Sequence, residues 1–205
     1  MKLRKKRVMT VIHRLTNNIP VIIENLPGAR SVTFGVYVGS GSQNETAAGN
    51  GVAHAIEHML FKGTDKYNAG QLADIMTELG GGINAYTSKE NTVFYGKVLP
   101  EDFERALTVM ADMLFNSVFD SKEFPKEKGV IIDEIDSYDD SAEDMCHELL
   151  QKRVWNDNPL GFIISGSKSN VRKLTRQQLI DFKNANYTAD NILISVAGKC
   201  DEKSI

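Results

Sequence analysis

The sequence predicts an α+β domain, a two-layer sandwich in which helices cover one face of a mainly antiparallel sheet. Two patterns predict it. Short β runs separated by turns recur along the chain, and stretches with apolar residues at helical spacing are interleaved among them. A third observation sets the scale: 205 residues, 41% of them hydrophobic, suffice for one sizeable core, and no linker or internal repeat divides the chain. The whole of 1–205 is therefore read as a single domain, with residues 1–10 as a solvated basic tail.

Strands are expected near Val11 to Leu15, Pro20 to Asn25 and Ser31 to Val38, followed by a polar loop through Ser40 to Asn44. A helix spans the region after Gly51. Asn68 is a good cap for another, running to Leu79 and stopped by three glycines. Ile83 to Thr87 and Thr92 to Val98 read as a hairpin joined by the polar turn Ser88 to Asn91. Pro100 opens a helix to about Asn116, with Phe103, Leu107, Met110 and Leu114 as its core face. Helices near Ser121 to Tyr138 and Ala142 to Val154 follow, and Pro125 falls early in the first of these, where it tightens the initial turn. Trp155 to Gly161 is a loop, Thr175 begins a last helix, and Asn191 to Ala197 a last strand.

Chemistry concentrates in the helix after Gly51. His54, Glu57 and His58 lie on one side of it: at about 100° per residue, His58 is about 40° from His54 and Glu57 about 60° away on the other side. Two imidazoles that converge on one point, with a carboxylate beside them as general base, suit a divalent metal that keeps a position open for water. The order His-x-x-Glu-His is the inverzincin signature. Without a third ligand, the same segment would also suit a core helix whose histidines are satisfied by neighbours.

Glu127 and Glu134 are candidates for completing the site. Seven residues apart, they fall within about 20° on a helix, with Val130 and Ile131 near the same face. A carboxylate on an apolar stripe is costly unless paired or metal-bound. Taken alone, the pair would equally fit a solvated face beside Lys126 and Lys128. The hairpin beginning at Ile83 adds a possible docking edge, since an exposed strand can accept an extended peptide by backbone hydrogen bonds.

Four motifs in order, Gly51 to Thr64, Glu134 at 76 residues beyond His58, Gly80 to Glu90 and Asn186 to Gly198, make the chain resemble the pitrilysin/insulinase family of zinc peptidases. Within that family it is most similar to bacterial members related to the mitochondrial processing peptidase, and the likeness runs from about Val11 to Gly198. The resemblance implies that His54, His58 and Glu134 ligate one Zn²⁺ per chain and that Glu57 activates its water. It gives Glu127 a supporting catalytic role behind a ligand. Asn84 and Ala85 match positions that hold substrate backbone, Tyr86 and Thr87 continue that strand, and Phe61 matches an aromatic at the wall of the site. Ala55 departs from the large apolar residue usual there, which touches helix packing and leaves the ligand set intact.

The implied activity is a metalloendopeptidase acting on extended or unfolded peptides. Family enzymes close a second, similar half over the substrate, on the same chain or another subunit, and that half supplies an Arg/Tyr pair to the carbonyl; this chain carries only the first. The partners expected are thus peptide substrate and a second domain, a subunit or another copy of the chain. A non-catalytic or partner-requiring half is the alternative. A lyase of the S-ribosylhomocysteine type shares His-x-x-Glu-His but uses a cysteine as third ligand, and Cys146 lies too far along. Two His and one carboxylate could also seat non-haem Fe(II).

Composition excludes other classes. A net charge of −3 gives no reason to expect nucleic acid, and no apolar run approaches the ~20 residues of a membrane span. Met1 to Arg7 is basic, but no apolar stretch or cleavage site follows as in an export signal. Only Cys146 and Cys200 are present, without metal-type pairing, which points to a reducing, cytoplasmic setting. His147, beside Cys146, is expected to be an ordinary helical histidine.

Overall fold

The computed structural model describes residues 10–156 and 158–200. The basic tail expected at 1–10 lies, apart from Thr10, outside them. The strands are β1 (Thr10–Arg14), β2 (Pro20–Asn25), β3 (Val32–Val38), β4 (Ile83–Thr87), β5 (Thr92–Val98) and β6 (Ile192–Gly198). They form one sheet in the order β1-β2-β6-β3-β5-β4. Every pairing is antiparallel except that of β2 with β6. The helices are α1 (Val52–Leu60), α2 (Ala69–Glu78), α3 (Phe103–Asn116), α4 (Glu123–Asp139), α5 (Ala142–Trp155), α6 (Lys168–Lys173) and α7 (Arg176–Asn186).

The two layers follow from alternation along the strands. In β3, Val32, Phe34, Val36 and Val38 are buried while Thr33 and Tyr37 face out, and β5 buries Phe94 and Val98 while exposing Tyr95 and Lys97. The buried face meets α1, which hides Ile56, Met59 and Leu60 completely, and α3, which contributes Phe103, Met110 and Leu114. Phe34 and Phe103 join sheet to helix edge to face, with ring centroids 5.6 Å apart.

Local chemistry sets the boundaries. The Asn68 side chain accepts from Gln71 N–H, and the Gln71 side chain accepts in return from Asn68 N–H, a capping box at the start of α2. Pro125 is the third residue of α4, in the first turn where N–H groups lack helical partners, so its missing donor costs nothing there. One element escapes the sequence pattern: α6, six residues long and capped by Ser167, lies within a stretch with no expected helix.

Candidate metal centre

Two helices build the site. α1 is pressed against α4, α7 and β4, and seven of its nine residues are buried, His54 among them. An imidazole in such a place needs partners. His54 Nε2 lies 3.2 Å from His58 Nε2 and 3.7 Å from Glu134 Oε1, while His58 Nε2 lies 3.4 Å from Glu134 Oε2. Glu134 projects from α4, which packs across α1.

These separations fit a metal. Tetrahedral zinc with ligands at about 2.05 Å puts neighbouring ligand atoms about 3.3 Å apart. His54, His58 and Glu134 are also the one group of three metal-ligating side chains among the described residues, with ligand atoms all within 4.8 Å. The proton arrangement agrees. His58 Nδ1 is 2.9 Å from Glu127 Oε1, so it donates to that carboxylate and turns Nε2 toward Glu134. A lone pair and a carboxylate at 3.4 Å repel unless a cation or proton lies between them. The other oxygen of Glu127, which is buried, is 2.8 Å from Lys62 Nζ. His54 Nδ1 is buried without a hydrogen-bond partner.

Burial, followed by the neighbouring His58, pulls the His54 imidazole down to about 4, so it is neutral and ready to ligate at physiological pH. Burial also works to lower His58, but hydrogen bonds to Glu134 and Glu127 outweigh it and raise the group above its ordinary value. The same bond to His58 holds Glu134 below the usual carboxylate range against its own desolvation. Burial lifts Glu57 above that range, opposed by a hydrogen bond from Thr87 Oγ1 to Oε2 at 2.5 Å. A carboxyl with a raised value is suited to moving protons near neutrality.

A cavity of about 360 Å³ opens beside these groups, lined by His54, Glu57, Glu134, Ala85, Tyr86 and Thr87 and also by Tyr138, Glu148, Ile164 and Ser165. A cleft of about 420 Å³ beyond the end of α1, bounded by Lys62 to Gly70 and by Val118, Asp120, Lys122 and Glu123, shares only Lys62 with the site and includes none of His54, Glu57, His58, Glu127 and Glu134. β4 is an edge strand of the sheet, as the substrate-edge expectation requires. Asn84 is exposed on it, and its Oδ1 accepts from Ala85 N–H at 2.9 Å. Phe61 caps the C-terminal end of α1, packs half-buried against the core, and is not among the cavity's lining residues. His147 is exposed on α5 and stands outside the metal group. Sequence reasoning missed Lys62, Tyr138, Glu148, Ile164 and Ser165; only Lys62, one turn beyond His58, carried a local signal.

Comparison with known proteins places the chain in a family. Residues 20–168 match the family described as insulinase (peptidase family M16), a stretch that contains all three metal-ligating candidates. An uncharacterized zinc protease of Bacillus subtilis, YmxG, is 41% identical over 189 residues, covering 92% of this chain and 46% of the relative. The mitochondrial-processing peptidase subunit beta of Blastocladiella emersonii is 36% identical over 196 residues, covering 96% of this chain and 42% of its own length. Among solved structures, a protease from Helicobacter pylori superposes with a TM-score of 0.90 at 23% identity over 96% of this chain and 48% of that one, a likeness of fold. The chain spans just under half the length of the curated relatives it matches. On the matched stretch and on identities above 30% over nearly its whole length, the chain belongs to the insulinase family, peptidase family M16.

Proposed function

We propose that the chain is the metal-binding half of a zinc-dependent endopeptidase that cuts extended or unfolded peptides. One observation carries the reading: His54, His58 and Glu134 converge at tetrahedral spacing, with the Glu57 carboxylate beside them and the edge strand β4 along the same cavity. Zinc held by those three residues would supply a Lewis acid that polarises the scissile carbonyl and lowers the pKa of water.

The remaining work falls to the protein's own groups. A substrate segment pairs along β4 and is held by backbone hydrogen bonds beside Asn84 and Ala85, with Tyr86 and Thr87 continuing the strand. Glu57 takes a proton from the attacking water and returns it to the departing amine, so the C–N bond breaks as an amine leaves rather than an amide anion. Thr87 Oγ1 fixes one oxygen of Glu57 and leaves the other for that transfer. Glu127, with one oxygen on His58 and the other on Lys62, holds the ligand's ring and tautomer. Phe61 supports the wall from the end of α1.

The extent of the match to longer relatives favours a requirement for a second, similar domain, supplied by the same polypeptide, another subunit or another copy. The test of the metal assignment is elemental analysis of protein purified without added metal. About one equivalent of zinc in wild type and loss of it in His58→Ala is the expected result. Equal zinc in both would refute the ligand set, and iron in its place would refute the zinc.

A further inference from the structure

Behind the site lies a buried polar joint that the proposed chemistry does not use. Glu45, 5% exposed, sits in the loop before α1. Its Oε1 accepts from Ala53 N–H at 2.7 Å, and its Oε2 accepts from Gly51 N–H at 2.8 Å and from Asn50 Nδ2 at 2.7 Å. The first N–H groups of a helix have no partner within it, and Gly51, at the cap position, has no side chain to offer. Glu45 therefore caps α1 from outside, with a charge that suits the positive end of the helix.

The joint extends to the segment that carries Ile164 and Ser165, two more residues of the cavity lining. Asn50 Nδ2 also donates to Ile163 O at 2.8 Å. Gly51 (φ +101°) and Gly166 (φ +76°) let the two backbones meet: a Cβ on Gly51 would stand 2.7 Å from Ser165 O, and one on Gly166 2.4 Å from Asn50 O. The segment laid so closely on the start of α1 carries Ile164 and Ser165, which line the same cavity as His54 and Glu57. Lys89, in the β4–β5 turn, donates to Phe162 O, and its charge favours the ionised form of Glu45.

We propose that Glu45 is a positioning residue that locks the start of α1, and with it His54, to the pocket wall at Ile164 and Ser165. The link is short in sequence: His54 directly follows Ala53, whose N–H Glu45 holds, whereas His58 lies one turn further along α1. Loosening the joint shifts one metal ligand relative to the other and widens the gap to the wall. This rests on the metallopeptidase reading of the same site.

The test uses two substitutions with different reach. Glu45→Gln keeps size but sets an amide donor against three donors; Asn50→Ala cuts the link to Ile163 and leaves both backbone bonds of Glu45 in place. Co²⁺ titration with its visible spectrum reads the ligand geometry, and KM and kcat on a quenched fluorescent peptide are measured in the assembled enzyme. Glu45→Gln is expected to weaken Co²⁺ binding about 10-fold, the lower end of the effect of partners behind a ligand, and to alter the spectrum. Asn50→Ala is expected to leave both unchanged and to raise KM more than it lowers kcat. Wild-type Co²⁺ affinity, spectrum and KM in Glu45→Gln would overturn the proposal, even with a lowered Tm, since a mere cap would produce that pattern. If wild type binds Co²⁺ yet no assembled form cleaves peptide, the peptidase reading fails, while a shifted spectrum in Glu45→Gln still supports the positioning role.

Discussion

Glu57 and His58 are neighbours in sequence to which the proposed function gives opposite duties, one to move protons and one to hold a metal, and their surroundings differ to match. Glu57 meets a hydroxyl from β4; His58 meets carboxylates from α4. Glu57→Gln keeps the shape and most of the hydrogen bonding but accepts no proton. Bound zinc should therefore stay at wild-type level while kcat falls roughly 10²–10⁴-fold in the assembled enzyme; near-normal turnover would remove Glu57 from the role of base. Glu45 makes a separate prediction about pH. Burial pushes its carboxyl up to about 7 from an ordinary 4.5, against its hydrogen bonds and the facing charge of Lys89. Because the folded value is raised, its contribution to stability is complete below pH 4.5 and is lost as pH rises through 7, a change on the order of 3 kcal/mol. Wild type should thus lose stability relative to Glu45→Gln between pH 5 and pH 8, read from the difference in their unfolding free energies. A constant difference would show that the group does not titrate in that window.

At the scale of elements, the proposed ligands come from two helices, so an ion held by them would tie α1 to α4. Zinc at 100 times its Kd should stabilise the fold by about 2.7 kcal/mol, and a chelator should reverse the gain in Tm. Underneath, Ile56 is fully buried between the helix layer and the sheet. Ile56→Ala should cost about 2–5 kcal/mol in urea unfolding. These elements were largely legible beforehand, and for local reasons. The bounds of β4 and β5 follow from β-type runs on either side of a polar turn, α2 from Asn68 and its glycines, and the grouping of His54, Glu57 and His58 on one side of α1 from its helical period. The parts that were not legible depend on contacts between distant segments. Asn50 and Ile163, or Lys62 and Glu127, meet only after the chain has folded. α6 is too short for its apolar period to register.

At the scale of the whole molecule, the relatives are about twice as long as this chain. If a second half supplies donors to the developing oxyanion, as the family resemblance implies, its loss should lower turnover by on the order of 10²-fold or more. The 205-residue chain alone should cleave unfolded peptides weakly or not at all, and adding a complementary domain should restore activity. Efficient cleavage by the chain, shown monomeric by light scattering under assay conditions, would overturn this. The edge strand β4 carries a further consequence. Unpaired backbone at a sheet edge is a template for any extended chain, including a misfolded sibling, and long edges of this kind seed aggregates. β4 is five residues long, with polar Asn84 exposed and a turn closing its far end. A peptide passing through needs to pair only briefly, whereas a growing fibril needs length that this strand does not provide. The shortness that makes the edge a poor nucleus also limits how long a product can stay bound.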